Sequence, residues 1–275
     1  MLRKYVHLAY WRAHLPHSYL KLTNDKGKPA ARRGRKATDL KEVAELPAKS
    51  RVLWQMVFLA AFLGAMLIPI SARTAQAEGT SFRDDFDSFD SSRWVKSDHL
   101  LGRSYLDPDN VSVANGYLRE KIPALTTNGA EIESIDYYGY GTYRARIRTA
   151  DAPSSITGFF LYRSPDYYAE IDIELYNDGT GNVDFVTYAN GQRTHYVGKQ
   201  LTFDPSADFH TYRIDYEPNV VQFYVDGDLQ KAWTGGVPDA SMKLLVNTWF
   251  PNWLGEQAPP TNRFTRVDWI SYQQQ

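Results

Sequence analysis

The stretch Tyr167–Asp178, YYAEIDIELYND, places Glu170, Asp172 and Glu174 at every second position, with Ile171, Ile173 and Leu175 between them. On a β-strand the side-chain period is two, so the three acids share one face and the three aliphatics share the other. The aliphatic face suits a core between two sheets. The acidic face sets three like charges in a row, at a cost in repulsion that needs a reason. A solvent-facing strand with no further role would satisfy the same spacing.

From about Thr80 onward the chain has the same texture throughout. YGTYRARIRTA alternates Tyr143, Ala145 and Ile147 with Arg144, Arg146 and Arg148, and HTYRIDYEP alternates Tyr212, Ile214 and Tyr216 with Arg213, Asp215 and Glu217. VVQFYVDGDLQKAW reads as two strands joined at Asp226-Gly227, a hairpin signal, and Asn190-Gly191 marks another turn. No segment keeps a helical period over four turns. Many short strands with regular turns predict an all-β, concanavalin-like jelly-roll sandwich of two curved antiparallel sheets over residues 78–275. The arginine row Arg144, Arg146, Arg148 reads as the wetted face of such a sheet, with a polyanion-binding stripe as the alternative.

The N-terminal part differs. Residues 1–51 carry 13 basic and 4 acidic residues, a net of +9, while the remaining residues carry 18 and 28, a net of −10. Opposite signs in the two parts imply two environments. Val52–Ile70 is an uncharged stretch long enough to span a bilayer as a helix, and it follows Lys49 and Arg51. Ala75 and Ala77 form an A-x-A pattern, so segment 52–77 reads as a signal-peptide core with cleavage after Ala77, or as a signal anchor. Either reading exports the C-terminal domain or anchors it outside the cytoplasm. A 51-residue leader is long for a signal peptide, which a start codon placed too early would explain. The basic arm reads as a disordered solvated tail rather than a lipid- or nucleic-acid-binding element. The chain has no cysteine, which excludes a disulfide framework and thiolate metal sites.

Three clustered carboxyls cannot all ionise at the usual pH, because each opposes the charging of its neighbours. One is then kept as an acid beside an ionised one. Glycoside hydrolysis uses that division: one carboxylate attacks the anomeric carbon, and one carboxylic acid protonates the leaving oxygen. Glu170 and Glu174 start about 13 Å apart along an ideal strand, so their long side chains must lean together over Asp172.

In this context the chain resembles glycoside hydrolase family 16, on the lichenase and exopolysaccharide-depolymerase branch. The likeness runs from about Phe82 to Tyr272, through YGYGTY (138–143), GFFLY (158–162), AEIDIEL (169–175), TYANG (187–191), NTW (247–249), NWLG (252–255) and VDWISY (267–272). The resemblance implies a retaining endo-glycosidase that cuts a β-glucan of the β-1,3-1,4 type or a bacterial exopolysaccharide. Glu170 matches the nucleophile, Asp172 the assisting acid and Glu174 the general acid/base. The single residue between Asp172 and Glu174 matches the lichenase branch, not the bulged laminarinases and carrageenases.

Phe160, Tyr162, Tyr168, Tyr188, Trp249 and Trp253 match aromatics of the family's cleft, and Glu131 and Asn247 match groups that bind sugar hydroxyls. Asp268 matches an aspartate that helps hold a structural calcium in lichenases. The resemblance implies no cofactor for catalysis. His195 and His210 are read as structural. Four positions depart from the lichenase pattern: Tyr168 stands for Trp, Ala169 for Asp, Glu133 for Arg and Val186 for Asn. They bear on which glucan is cut, not on the reaction.

The partner expected is a polysaccharide, with no nucleic acid, and with the membrane only if segment 52–70 stays uncleaved; the chain is expected to act as a monomer. Two alternatives keep the same fold: a transglycosylase with the same catalytic residues, and a non-catalytic glycan-binding module on a membrane anchor.

Overall fold

The structure, a computed structural model, describes residues 79–275. The basic arm, the hydrophobic helix expected at 52–70 and the cleavage expected after Ala77 lie outside the described residues. Among the described residues no helix is long and apolar enough to cross a membrane.

The strands follow the predicted alternation. In chain order they are β1 (Phe82–Asp84), β2 (Trp94–Lys96), β3 (His99–Leu101), β4 (Ser104–Leu106), β5 (Val111–Ala114), β6 (Tyr117–Ile122), β7 (Ala130–Ser134) and β8 (Gly141–Arg148). They continue as β9 (Ile156–Arg163), β10 (Ala169–Tyr176), β11 (Asn182–Ala189), β12 (Gln192–Gln200), β13 (His210–Glu217), β14 (Val220–Val225), β15 (Asp228–Thr234), β16 (Lys243–Trp249) and β17 (Arg263–Gln274). One 3-10 turn, Pro108–Asn110, is the only helical element among the described residues. Asp107 caps it, its carboxylate accepting from the Asp109 N–H at 2.9 Å.

Two large antiparallel sheets form a jelly-roll sandwich. The seven-stranded sheet runs β12-β11-β10-β9-β16-β7-β2, and the eight-stranded sheet runs β15-β14-β13-β8-β17-β6-β5 with β1 paired to β17. A separate two-stranded hairpin joins β3 and β4. Both turn signals are realised: Asp226-Gly227 and Asn190-Gly191 each place two consecutive residues at positive φ, the geometry a two-residue hairpin needs to match strand twist.

Between the sheets, Ile171, Ile173 and Leu175 of β10 are fully buried and share one cluster with Tyr143, Ala145 and Ile147 of β8 and with Tyr212, Ile214 and Tyr216 of β13. Each large side chain buried in this way contributes roughly 1.5–3 kcal/mol. A one-residue slip of β10 would expose all three aliphatics and bury the acids, so the core fixes which way the acids point.

Candidate active site

Strand register converts the linear motif into a grid on the outer face of the seven-stranded sheet. Residues directly paired across strands lie on the same face, about 4.8 Å apart. Glu170 is flanked by Tyr162 of β9 and Tyr188 of β11, and Asp172 by Phe160 and Val186. Glu174 is flanked by Gly158 and Asp184. Beyond β9, Lys243, Leu245 and Asn247 of β16 oppose Tyr162, Phe160 and Gly158. Beyond these, Glu133 and Glu131 of β7 oppose Leu245 and Asn247.

A cleft of about 480 Å³ lies on this face, lined by all three acids and by Glu131, Glu133, Phe160, Tyr162, Tyr188, Asn247 and Trp249. The segment from Ser97 to Gly102 forms its far wall. The cleft is lopsided: it extends from β10 toward β2, whereas Asp184 and Tyr196, on the β11–β12 side, are not part of its lining.

The three acids differ in their surroundings. Asp172 is 5 % exposed. Burial first, then the charges of Glu170 and Glu174, and last a hydrogen bond shared with Glu170 hold it well above the usual carboxylate range. Asp172 is thereby favoured in its protonated form, in which it can donate to Glu170. Glu174 is pushed up to about 8, first by burial, then by Asp184 and Glu170. It keeps its proton at neutral pH, as a general acid must. Gly158 leaves the β9 side of Glu174 clear; a Cβ there would come within 2.7 Å of Asn247 Oδ1.

The polar wall is rigidly connected. Glu131 accepts from Ser97 Oγ at 2.6 Å and from Asn247 Nδ2 at 3.0 Å, and it meets His99 Nε2 at 3.3 Å. Asn247 Oδ1 in turn accepts the Gly158 N–H at 3.2 Å. Burial opposes a charge on His99, but the hydrogen bond and the charge of Glu131 prevail and raise it above the ordinary imidazole value. Tyr162 donates to Asp166 at 2.6 Å.

Comparison with known proteins then places the chain. The profile of glycosyl hydrolases family 16 matches residues 103–271. The chain belongs to glycosyl hydrolase family 16. It is 30% identical to the beta-glucanase of Bacillus subtilis (strain 168) over 242 residues, 82% of this chain and 99% of the relative. It is 31% identical to the beta-glucanase of Paenibacillus polymyxa over 209 residues, 70% and 88% of the two chains. Among solved structures, the Bacillus licheniformis beta-glucanase superposes with a TM-score of 0.68 at 28% identity, covering 72% of this chain and all of that one. A beta-1,3-1,4-glucanase (lichenase) from a mouse hindgut metagenome gives 0.65 at 30% identity, covering 71% and 99%.

In this family 16 domain two expected cleft aromatics stand elsewhere. Tyr168 packs against the main core. Its neighbour Tyr167 adopts φ 65°, and the Tyr168 N–H is held by the Pro165 carbonyl at 2.9 Å. The chain therefore turns before the strand alternation begins at Ala169. Tyr167 is the one that meets Tyr188, with ring centroids 5.0 Å apart. Trp253 lies behind Trp249, edge-on at 5.5 Å, and supports that ring without lining the cleft.

Asp268, expected to help hold a structural calcium, is engaged by a cation of the protein itself. Its Oδ2 pairs with Arg146 at 2.5 Å, and among the described residues no group of three or more acidic or histidine side chains gathers to hold a metal. A hard-cation site takes about six to eight oxygens. His195 stacks on Trp233 at 4.8 Å, and His210 pairs with Asp226 at 2.6 Å; neither lines the cleft.

The register also reveals partners that the motif reading did not pick out. Glu133 pairs with Lys243 of the neighbouring strand β16, which offsets its charge at the edge of the cleft. Asp184 faces Glu174 and accepts from Tyr176 at 3.0 Å and from Tyr196 at 3.1 Å. A signal for Asp184 was available: residues 174 and 184 are equidistant from the turn glycine Gly179.

Proposed function

We propose that this chain is a retaining endo-β-glucanase acting on a glucan with β-1,3 and β-1,4 linkages. Glu170 is the nucleophile: its carboxylate attacks the anomeric carbon and displaces the glycosyl oxygen. Glu174 donates its proton to that oxygen as the bond breaks, then takes a proton from the water that hydrolyses the glycosyl-enzyme. Asp172, donating to Glu170, disperses the nucleophile's charge until attack and holds its orientation.

The observation that carries this reading is geometric: Glu170, Asp172 and Glu174 share one strand face and line one cleft, where burial and neighbouring charge favour the protonated forms of Asp172 and Glu174. Phe160, Tyr162, Tyr188 and Trp249 supply flat apolar surfaces for the C–H faces of sugar rings. Glu131 and Asn247, fixed by their mutual hydrogen bond, present polar groups to hydroxyls. The family membership and the activities for which the relatives are named point the same way. The uncharged Val52–Ile70 stretch and the A-x-A pattern after it support action outside the cytoplasm.

The test is to incubate the full chain with barley-type mixed-linkage glucan and size the products. A rapid fall in polymer length, with oligosaccharides appearing before monosaccharide, is expected. Release of glucose alone, or no shortening on any β-glucan, would overturn the reading. Repeating the reaction with an added oligosaccharide acceptor separates hydrolysis from glycosyl transfer.

Asp184 gives a further expectation. Its negative charge helps hold the proton on Glu174. Removing the charge lets Glu174 lose its proton at lower pH, so the active fraction of the general acid declines earlier. In Asp184→Asn the alkaline limb of the kcat/KM profile moves about one pH unit lower. An unmoved limb in a folded variant would show that Asp184 does not act on Glu174.

A further inference from the structure

The outer face of the other sheet raises the same question as the acidic strand, with the sign reversed. Arg266 of β17 is directly paired with Arg119 of β6 on one side and with Arg148 of β8 on the other. Three guanidinium-bearing residues therefore form one row across three neighbouring strands, spanning about 10 Å. Like charges placed directly opposite one another destabilise a sheet. Two nearby arginines have carboxylate partners: Arg146 pairs with Asp268 at 2.5 Å and Arg213 with Asp215 at 3.0 Å. Among the described residues, Arg119, Arg148 and Arg266 have none. Burial first, then the charges of Arg148 and Arg119, hold Arg266 below the usual guanidinium range.

We propose that this arginine row is a second glycan-binding site, which takes the carboxylates of an acidic polysaccharide. A guanidinium matches a carboxylate with two parallel hydrogen bonds. The row is also pre-ordered. The Phe264 ring carries Arg119 at 4.1 Å and Arg266 at 5.5 Å, and Phe209 carries Arg148 at 5.3 Å. Stacking holds the planar groups in place before a ligand arrives and reduces the entropy lost on binding.

Charge decides between the two faces of the sandwich. The cleft on the seven-stranded sheet is lined by Glu131, Glu133 and Glu170 beside the proton-holding Asp172 and Glu174, so it suits neutral sugars better than anionic ones. Carboxylated segments of a polysaccharide are held on the arginine row while neutral segments reach the cleft.

The face is unsuited to other polyanions. Rings there are already covered: Tyr117 stacks on Phe209 at 5.1 Å, and Phe264 lies under two arginines. They do not offer the open platforms on which single-stranded nucleic acid stacks its bases. None of the exposed large apolar side chains lies on β6, β8 or β17, so nothing is placed to insert into a lipid surface.

The experiment is affinity electrophoresis of the full-length chain through polygalacturonate, with neutral mixed-linkage glucan as the comparison matrix. The wild type is expected to be retarded by polygalacturonate, and salt is expected to release it. The variant R119Q/R148Q/R266Q is expected to lose at least about ten-fold in affinity while cleaving neutral glucan at the wild-type rate. The N-terminal arm is the same in both proteins, so it contributes equally to each. R266Q alone is expected to keep or raise the thermal midpoint, since it relieves the like-charge row; this separates lost binding from lost folding without an activity assay. Absence of retardation in the wild type, retention of full affinity by the triple variant, or equal loss of affinity in E170Q would overturn the proposal. Tighter binding to a single-stranded oligonucleotide or to anionic vesicles, at matched charge, would overturn the choice of ligand.

Discussion

Glu170→Ala is expected to reduce hydrolysis of mixed-linkage glucan by about 10⁴-fold or more while leaving glucan binding in place. The loss is large because the covalent route disappears, and Glu174 has no second attacking group to assist. Glu174→Ala separates the two roles. On glucan it is expected to lose about 10²–10⁴-fold, the usual worth of a general acid. On an aryl glycoside whose leaving group departs without protonation, formation of the glycosyl-enzyme is expected to remain fast. Hydrolysis then stalls, because no base activates the water. The measurement is a pre-steady-state burst of aryl leaving group in E174A and none in E170A. A burst in E170A, or near-wild-type turnover by either variant, would mean that the roles are assigned to the wrong residues.

The second large effect concerns stability. Glu120 of β6 is fully buried between the sheets. One carboxyl oxygen accepts from Thr248 at 2.9 Å, and the other has no hydrogen-bond partner. Burial, reinforced by the charge of Glu131 and only partly offset by Thr248, lifts this carboxyl well above its ordinary value. Below pH about 4.5 the carboxyl is neutral in folded and unfolded chains alike. Above that pH the unfolded chain ionises first and binds fewer protons than the folded one, so stability falls as pH rises until the folded carboxyl also titrates. Asp172 and Glu174 have the same sign, and Glu174 extends the decline to about pH 8. Glu120→Leu is expected to raise stability at pH 7–8 by about 1–3 kcal/mol and to flatten the dependence between pH 5 and 8. Thr248 keeps a hydrogen bond to Thr265 at 2.8 Å in that variant. Denaturant melts of both proteins across this pH range provide the check; parallel curves would show that Glu120 is solvated or paired.

The parts of the molecule governed by local rules were legible in the sequence. Alternation in β8, β10 and β13 follows from the two-residue period, and the two hairpins follow from Asp226-Gly227 and Asn190-Gly191. The carboxylate triplet was legible for the same reason, since neighbours on one strand need no tertiary information. The rest of the site depends on pairing between distant segments. His99 and Ser97 reach Glu131 from a segment with no periodic signal, more than thirty residues earlier. Lys243 reaches Glu133 only because β16 is placed beside β7. Tyr168 was expected in the cleft from its match to the family pattern, and nothing local shows that the positive φ of Tyr167 turns the chain just before the strand begins, leaving Tyr168 packed against the core. Trp253 carried the right chemistry, but nothing local shows that Trp249 stands in front of it.

The cleft is walled on the β2 side and open toward β12, where Tyr196 is 53 % exposed. A severed chain would therefore be gripped unequally. Under the mechanism proposed above, the fragment over β11 and β12 would have less surface to leave and would detach first, while the fragment in the enclosed half would stay until the ester is broken, so the shape of the sheet would add to the chemistry in setting the order of product departure.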